Sequence, residues 1–364
     1  MKTTSNQKNL YLLSIVLLVI AVALACAWTF WGKNETAPDA QVTPSPSPHV
    51  TPEATMGVAA NADAAKPEAQ TVSTVVYYQD NYGYLVPVMC NMAYQDGIAK
   101  ATLNMMVKSP ENDMNAARLG LRTVIPENTT FDLDISDGLA RIDLSKEVLK
   151  MEDAAAESNM VTAIVQTLTE FDSVQKVEFL VGGQKMEKLT HGTDISKTFE
   201  RGDINLESSV ETGSSSLEPV QLYFPCDSAN IVVPVTRMVY SKADVNTAVL
   251  ELAKGPSTQS PLERALPAGC GLIDVKVENG VCKVNFTREF ADLVENTDGG
   301  RLALKALVLT CTQFEGIEEV EIFVEGQSYD PGANTLNVPT FANVAEDIVY
   351  ETIQTQSNLI FDFE

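Results

Sequence analysis

The chain has 364 residues, enough for two ordinary domains with further segments around them. Apolar residues make up 45% of it, so most of it can bury a core, and its formal net charge is −24. A chain this acidic is repelled by the phosphate backbone, which excludes nucleic acid, and it lacks a polybasic grip on anionic lipid heads. The first element in chain order is an anchor, residues 1–32. Lys2 and Lys8 precede an uncharged apolar run from Leu10 to Trp31. At 1.5 Å per residue such a run spans a bilayer as a helix. Positive charge ahead of the run keeps the N-terminus inside and puts the rest outside. Trp28 and Trp31 sit where an interfacial aromatic belt falls. A second reading is a lipoprotein signal: Ala23-Leu24-Ala25-Cys26 fits a bacterial lipobox, with cleavage before Cys26 and lipidation of Cys26. Against it, Ala27, Trp28, Phe30 and Trp31 continue the apolar run. Both readings place the bulk of the chain on the extracytoplasmic side of a bacterial membrane, tethered to it.

Residues 33–72 are rich in Pro, Ala and Thr, with Thr43-Pro44-Ser45-Pro46-Ser47-Pro48 in the middle. Such a stretch buries little and reads as an extended stalk. Beyond it lies an internal repeat. Val76-Tyr77-Tyr78 and Leu85-Val86-Pro87-Val88 match Leu222-Tyr223-Phe224 and Val232-Val233-Pro234-Val235. Val107-Lys108-Ser109-Pro110 matches Ala253-Lys254-Gly255-Pro256, and Val124-Ile125-Pro126 matches Ala265-Leu266-Pro267. Thr167 to Phe171 matches Thr310 to Phe314, and Val177 to Gln184 matches Val320 to Gln327. The order is kept throughout, which sets the first domain at 73–204, a linker at 205–218, the second domain at 219–342 and a tail at 343–364.

Each copy reads as strand, helix, hairpin, helix, strand. In the first hairpin Phe131, Leu133 and Ile135 alternate with Asp132, Asp134 and Ser136; Asp137-Gly138 turns the chain, and Ala140, Ile142 and Leu144 return. The second hairpin has Ile273, Val275 and Val277, then Asn279-Gly280, then Cys282, Val284 and Phe286. Asp-Gly and Asn-Gly supply the positive φ angles of a tight turn, and the alternation puts one face of the sheet against a core. Val245, Ala248, Val249, Leu252 and Ala253 follow the helical period, with Ser241 and Asp244 resembling a capping box ahead of them. Val161, Ile164, Val165 and Leu168 stripe one further helix, and Leu304, Leu307, Val308 and Cys311 another. The fold class is therefore α+β: two tandem, small two-layer domains, each a mixed sheet with a β-hairpin and two helices on one face.

Reactive chemistry is scarce. There are two histidines, His49 in the stalk and His191 in an expected surface loop. No Ser–His–Asp or Cys–His set can be built from them, and a histidine-rich metal site lacks the supply. The six cysteines form no CxxC; Cys282 and Cys311 fall on apolar phases, and a Cys226–Cys270 disulfide is open in an oxidising compartment. Lys254-Gly255-Pro256 lacks the spacing of a phosphate loop and reads as a helix terminator. Asp132 and Asp134 lack the glycine and distal glutamate of a calcium loop. No catalytic, cofactor-binding or metal-ligating residue is expected, and no small-molecule substrate.

Leu222-Tyr223-Phe224, Lys254-Gly255-Pro256, Ala265-Leu266-Pro267-Ala268-Gly269, the Asn279-Gly280 hairpin, Thr310 to Phe314 and Val320 to Gln327 together resemble the GerMN domain of the GerM family. The first copy carries the same set in weaker form, with Ser109 where the glycine of Lys-Gly-Pro stands. The resemblance implies a ring-building-motif-like fold and a membrane-tethered role in sporulation or spore germination. It implies partners among other sporulation envelope proteins, including ring-forming components of the channel between mother cell and forespore. The expectation is a non-catalytic structural or assembly protein. The alternative is an envelope binding module or accessory protein recognising cell-wall glycan or peptide, with Tyr77, Tyr78, Tyr223 and Phe224 as stacking candidates, although their place at strand starts favours core packing.

Overall fold

A computed structural model describes residues 71–207, 217–226, 230–292, 298–330 and 342–346. The apolar run Leu10–Trp31, Cys26, His49 and the stalk up to residue 70 lie outside them, while Thr71 and Val72, read as the end of the stalk, open the first strand. Among the described residues no helix is long and apolar enough to cross a membrane. All of them belong to one compact unit, 65–364.

The first repeat opens with strands β1 (Thr71–Gln79) and β2 (Leu85–Ala93), which pair antiparallel as a two-stranded sheet of their own. Helices α1 (Ile98–Asn104) and α2 (Pro110–Arg118) follow, then β3 (Phe131–Ser136), β4 (Leu139–Leu144), α3 (Ala154–Leu168), β5 (Lys176–Val181) and β6 (Phe199–Glu200). The second repeat runs β7 (Glu218–Cys226), β8 (Ile231–Val239), α4 (Val245–Lys254), β9 (Leu272–Glu278), β10 (Val281–Phe286), α5 (Asp298–Thr312), β11 (Glu319–Val324) and β12 (Gln327–Tyr329). Each repeat thus holds a two-stranded hairpin and a mixed four-stranded sheet, in the orders β3-β4-β5-β6 and β9-β10-β11-β12. β4 with β5, and β10 with β11, are the parallel pairs. A parallel pair needs a crossover, and α3 and α5 supply it.

The α+β class and the tandem arrangement follow the sequence expectation, and three details differ. Each copy starts with two strands, not one: Leu85–Ala93 and Ile231–Val239 pair antiparallel with the strands before them. The first copy has one helix more than the expected pattern, α2, ahead of its β3–β4 hairpin. Ser109 is the N-cap of α2, accepting from Asn112 N–H, and Pro110 takes the first helical position where its missing N–H costs nothing. The N-cap of α4 is Asp244, which accepts from Thr247 N–H, and Ser241 reaches only the Thr247 hydroxyl.

The helical stripes are buried as their period requires: Val161, Ile164, Val165 and Leu168 in α3, and Leu304, Leu307, Val308 and Cys311 in α5. α3 packs on β1, β5 and α1, and α5 on β7, β8, β11 and α4. Both crossover helices also reach the hairpin by the same polar contact. Tyr77 N–H donates to Thr167 Oγ1, and Tyr223 N–H donates to Thr310 Oγ1, each at 3.2 Å. The tight turns use left-handed residues: Asp137-Gly138 at φ 52 and 78, and Asn279-Gly280 at φ 53 and 84.

Lys254-Gly255-Pro256 is a helix terminator, as the motif implies. Gly255 caps α4 at φ 82, and Arg264 lies across it, donating to Ala253 O and Lys254 O. A side chain at position 255 would run into that guanidinium. In the first copy Asn112 does the corresponding work for α1, its amide donating to Asn104 O and Val107 O.

Candidate interaction surfaces

The two repeats meet along the outer edges of β2 and β8. Pro87 lies opposite Tyr77, and Pro234 opposite Tyr223. The Tyr77 and Tyr223 N–H groups point away from their partner strands to the helix threonines, so neither proline deprives its hairpin of a bond there. The proline carbonyls point outward, and each is taken by an asparagine amide. Asn205 exchanges two bonds with Leu85, accepting from its N–H at 2.8 Å and donating to its carbonyl at 2.7 Å, and also donates to Pro234 O at 2.7 Å. Asn343 does the same with Val232, at 2.9 and 2.8 Å, and donates to Pro87 O at 3.0 Å.

This is a reciprocal arrangement, since Leu85 corresponds to Val232 and Pro87 to Pro234. The backbones complete it. Thr236 N–H donates to Asn205 O, and Met89 N–H donates to Asn343 O. Leu206 bridges Thr236, and Val344 bridges Met89, both parallel. The segment trailing each repeat therefore pairs with the hairpin of the other. Residues 205–207 and 343–346, read in the sequence as linker and tail, are parts of this seam.

Charged groups brace it. Arg237 donates to both carboxylate oxygens of Glu207, at 2.6 and 3.1 Å, to Glu251 at 3.2 Å and to Gly255 O at 2.9 Å. The planar guanidinium fork suits this bidentate pairing. Arg237 also lies 6.0 Å from the Phe224 ring centroid. In the first copy the matching residue is Cys90, which is buried and has no such network. There Arg201 binds Glu170 and the Tyr77 hydroxyl instead. Burial pushes the Tyr77 hydroxyl well above its usual range and the Tyr223 hydroxyl up to about 12, so both stay protonated.

The residues singled out in the sequence are placed as follows. Tyr77, Tyr78 and Phe224 are buried and Tyr223 is half-buried, so none of the four is a free platform for sugar stacking. His191 is exposed, as a surface-loop residue should be, and its ring contacts Met151 O. Its backbone N–H and that of Thr193 donate to the fully buried Glu157 at 2.9 Å each, which ties the 189–195 loop to α3. Burial pushes the Glu157 carboxyl up, but these two N–H groups outweigh it and hold the group below the usual carboxylate range. Cys226 and Cys270 are buried thiols that are not joined, so the open Cys226–Cys270 disulfide is not formed. Burial raises Cys90 to about 12 and Cys270 to about 11, far from a thiolate nucleophile at neutral pH. Cys282 and Cys311 are fully buried and touch one another across β10 and α5. Asp132 is exposed and paired with Lys100. Among the described residues no group of His, Cys, Asp and Glu is placed to hold a metal.

What is presented outward is different. Tyr82, Tyr94 and Tyr240 stand out at loop and hairpin ends, with Leu250 on α4 and Ile273 and Val277 on β9. The last two correct the sequence reading, which placed Ile273, Val275 and Val277 together on a buried face. Only Val275 packs against the core. A bulge near Leu272 shifts the β9–β10 register, and β9 is the end strand of its sheet, with no neighbour on its outer side among the described residues.

The fold is a tandem pair of α+β modules, joined to each other along one reciprocal seam. Comparison with known proteins gives the family. The family model for sporulation and spore germination matches residues 75–187 and 221–330. The chain is 31% identical over 281 residues to the spore germination protein GerM of Bacillus subtilis (strain 168), covering 73% of this chain and 75% of that protein. The solved tandem GerMN domains of the Bacillus subtilis sporulation protein GerM match with a TM-score of 0.63 and 28% identity, over 76% of this chain and 99% of that structure. The chain belongs to the GerM family of sporulation and spore germination proteins, and its two repeats are tandem GerMN domains.

Proposed function

We propose that this protein is a non-catalytic assembly component of the sporulation envelope, tethered on the extracytoplasmic side by the Leu10–Trp31 run or by a lipid on Cys26. Its partners are other sporulation envelope proteins, at the channel between mother cell and forespore or in a germination-related complex. The observation that carries this reading is the reciprocal seam. Asn205 and Asn343 fix two GerMN domains as one unit, and such a unit is suited to presenting several faces at a set spacing. The buried ionic groups support it as well. Glu157 anchors a loop, and Arg237 holds Glu207 and Glu251 together, so these charges serve the scaffold. Deleting the gene in the source organism and following sporulation tests the proposal. Defective engulfment or a fall in heat-resistant spores is expected; normal engulfment with a normal spore yield sinks it.

A further inference from the structure

β3 and β9 hold the same place in their sheets, each an end strand paired on one side only among the described residues. An end strand offers unpaired N–H and C=O groups, and proteins commonly blunt it with charge. The two repeats treat this edge differently. On β3 the polar face carries Asp132 and Asp134, and its apolar residues Phe131, Leu133 and Ile135 are buried or half-buried. On the seven-residue β9, Ile273 is 48% and Val277 46% exposed. Its polar positions carry Asp274, Lys276 and Glu278, a mixture of signs.

We propose that β9 is a self-association edge, pairing antiparallel with β9 of a second copy of this chain about a two-fold axis at Val275. Charge selects both occupant and register. Centred on Val275, the pairing sets Asp274 opposite Lys276 of the second copy, and Lys276 opposite the second copy's Asp274. The bulge between Leu272 and Asp274 takes Ile273 out of the regular alternation, so the central charge pairs, and not an Ile273–Val277 contact, set the register. Centred one residue on, at Lys276, the same strands place Lys against Lys and Asp274 against Glu278, which is repulsive. β3 centred on Leu133 places Asp132 against Asp134, so the first repeat is barred from the same contact. The interface is isologous and closes at two copies. A single strand pair is small beside the ~1,200 Å² of a stable interface, so it depends on the high local concentration of tethered chains. The inference names a partner for the assembly reading above and rests on that reading for its role, while the pairing itself stands on the edge geometry.

The test uses the full-length chain in its membrane. Val275→Cys puts two thiols face to face at the axis, within disulfide reach for directly opposed strand residues. Copper–phenanthroline catalyses their joining, with dissolved oxygen taking the two electrons and the two protons released. The unsubstituted chain gives the background from its own cysteines, and Leu250→Cys, exposed on α4, controls for random collision. A covalent dimer is expected at position 275 and little at 250. Adding Lys276→Glu to Val275→Cys sets like charges together twice and should cut the dimer roughly tenfold. Adding Asp274→Lys as well should restore it. Equal yields at 275 and 250, or indifference to the charge reversal, would overturn the proposal. A sporulation defect on gene deletion with no dimer at 275 refutes this contact alone. A charge-dependent dimer at 275 with normal sporulation supports the contact and removes the assembly role.

Discussion

Replacing Asn343 by alanine should unlock the seam between the two GerMN domains. The side chain is 1% exposed and makes three hydrogen bonds, all to backbone groups: Val232 N–H, Val232 O and Pro87 O. Alanine supplies none of them and leaves a space too small to hydrate each group well. An unsatisfied buried backbone group costs about 1–3 kcal/mol, and carbonyls sit at the low end because relaxation finds them other donors. Three such groups give a loss of ~3–4 kcal/mol, a large share of the 5–15 kcal/mol typical of folded domains. Urea unfolding followed by far-ultraviolet circular dichroism reads this as a lower midpoint, with the slope showing whether the repeats still unfold together. Asn205 is the matching position and sits at φ 52, so Asn205→Gly is the cleaner change because it adds no left-handed strain. It should cost a similar amount, and the double variant should lose less than the sum, because both amides serve one seam. A loss under ~1 kcal/mol for Asn343→Ala would refute the reasoning and move the seam's stability to its apolar contacts.

Glu157→Gln tests the loop anchor. The wild-type carboxylate has a folded pKa held below its unfolded value of ~4.3, so its stabilisation is present above that value and is lost as pH falls through the folded pKa. The variant's amide turns its NH₂ toward one of two backbone donors, costing ~1–3 kcal/mol at pH 7; thermal melts should show the gap to wild type narrowing below about pH 4. Gly255→Ala forces a left-handed alanine against Arg264 and displaces the guanidinium from Ala253 O and Lys254 O, for ~2 kcal/mol by urea melts. With Arg264→Ala already present the same change should cost clearly less, since the obstacle is gone.

The repeat, the α+β class and the helical stripes were legible because they rest on local periodicity. Val161, Ile164, Val165 and Leu168 are three or four apart, and burial follows from that spacing wherever the helix docks. The Asp-Gly and Asn-Gly turns were legible because left-handed φ angles narrow the choice of residue. The exposure of Ile273 and Val277 was not, because a bulge breaks the alternation at Ile273 and alternation does not fix whether anything lies over Val277. The seam was not legible either. Asn205 and Asn343 stand in stretches with no period, and an asparagine amide carries no signal of the partner it will meet.

By itself, then, the sequence determined two copies of one module with its tight hairpin turns and helical stripes, since these depend on residue identity and short-range spacing. Only the tertiary structure decided that the copies join edge to edge. That outcome depends on the outward carbonyls of Pro87 and Pro234, each met by an asparagine from the far end of the other repeat. Contacts of that kind form between groups more than 200 residues apart in the case of Pro87 and Asn343, and separation along the chain leaves no local pattern to read.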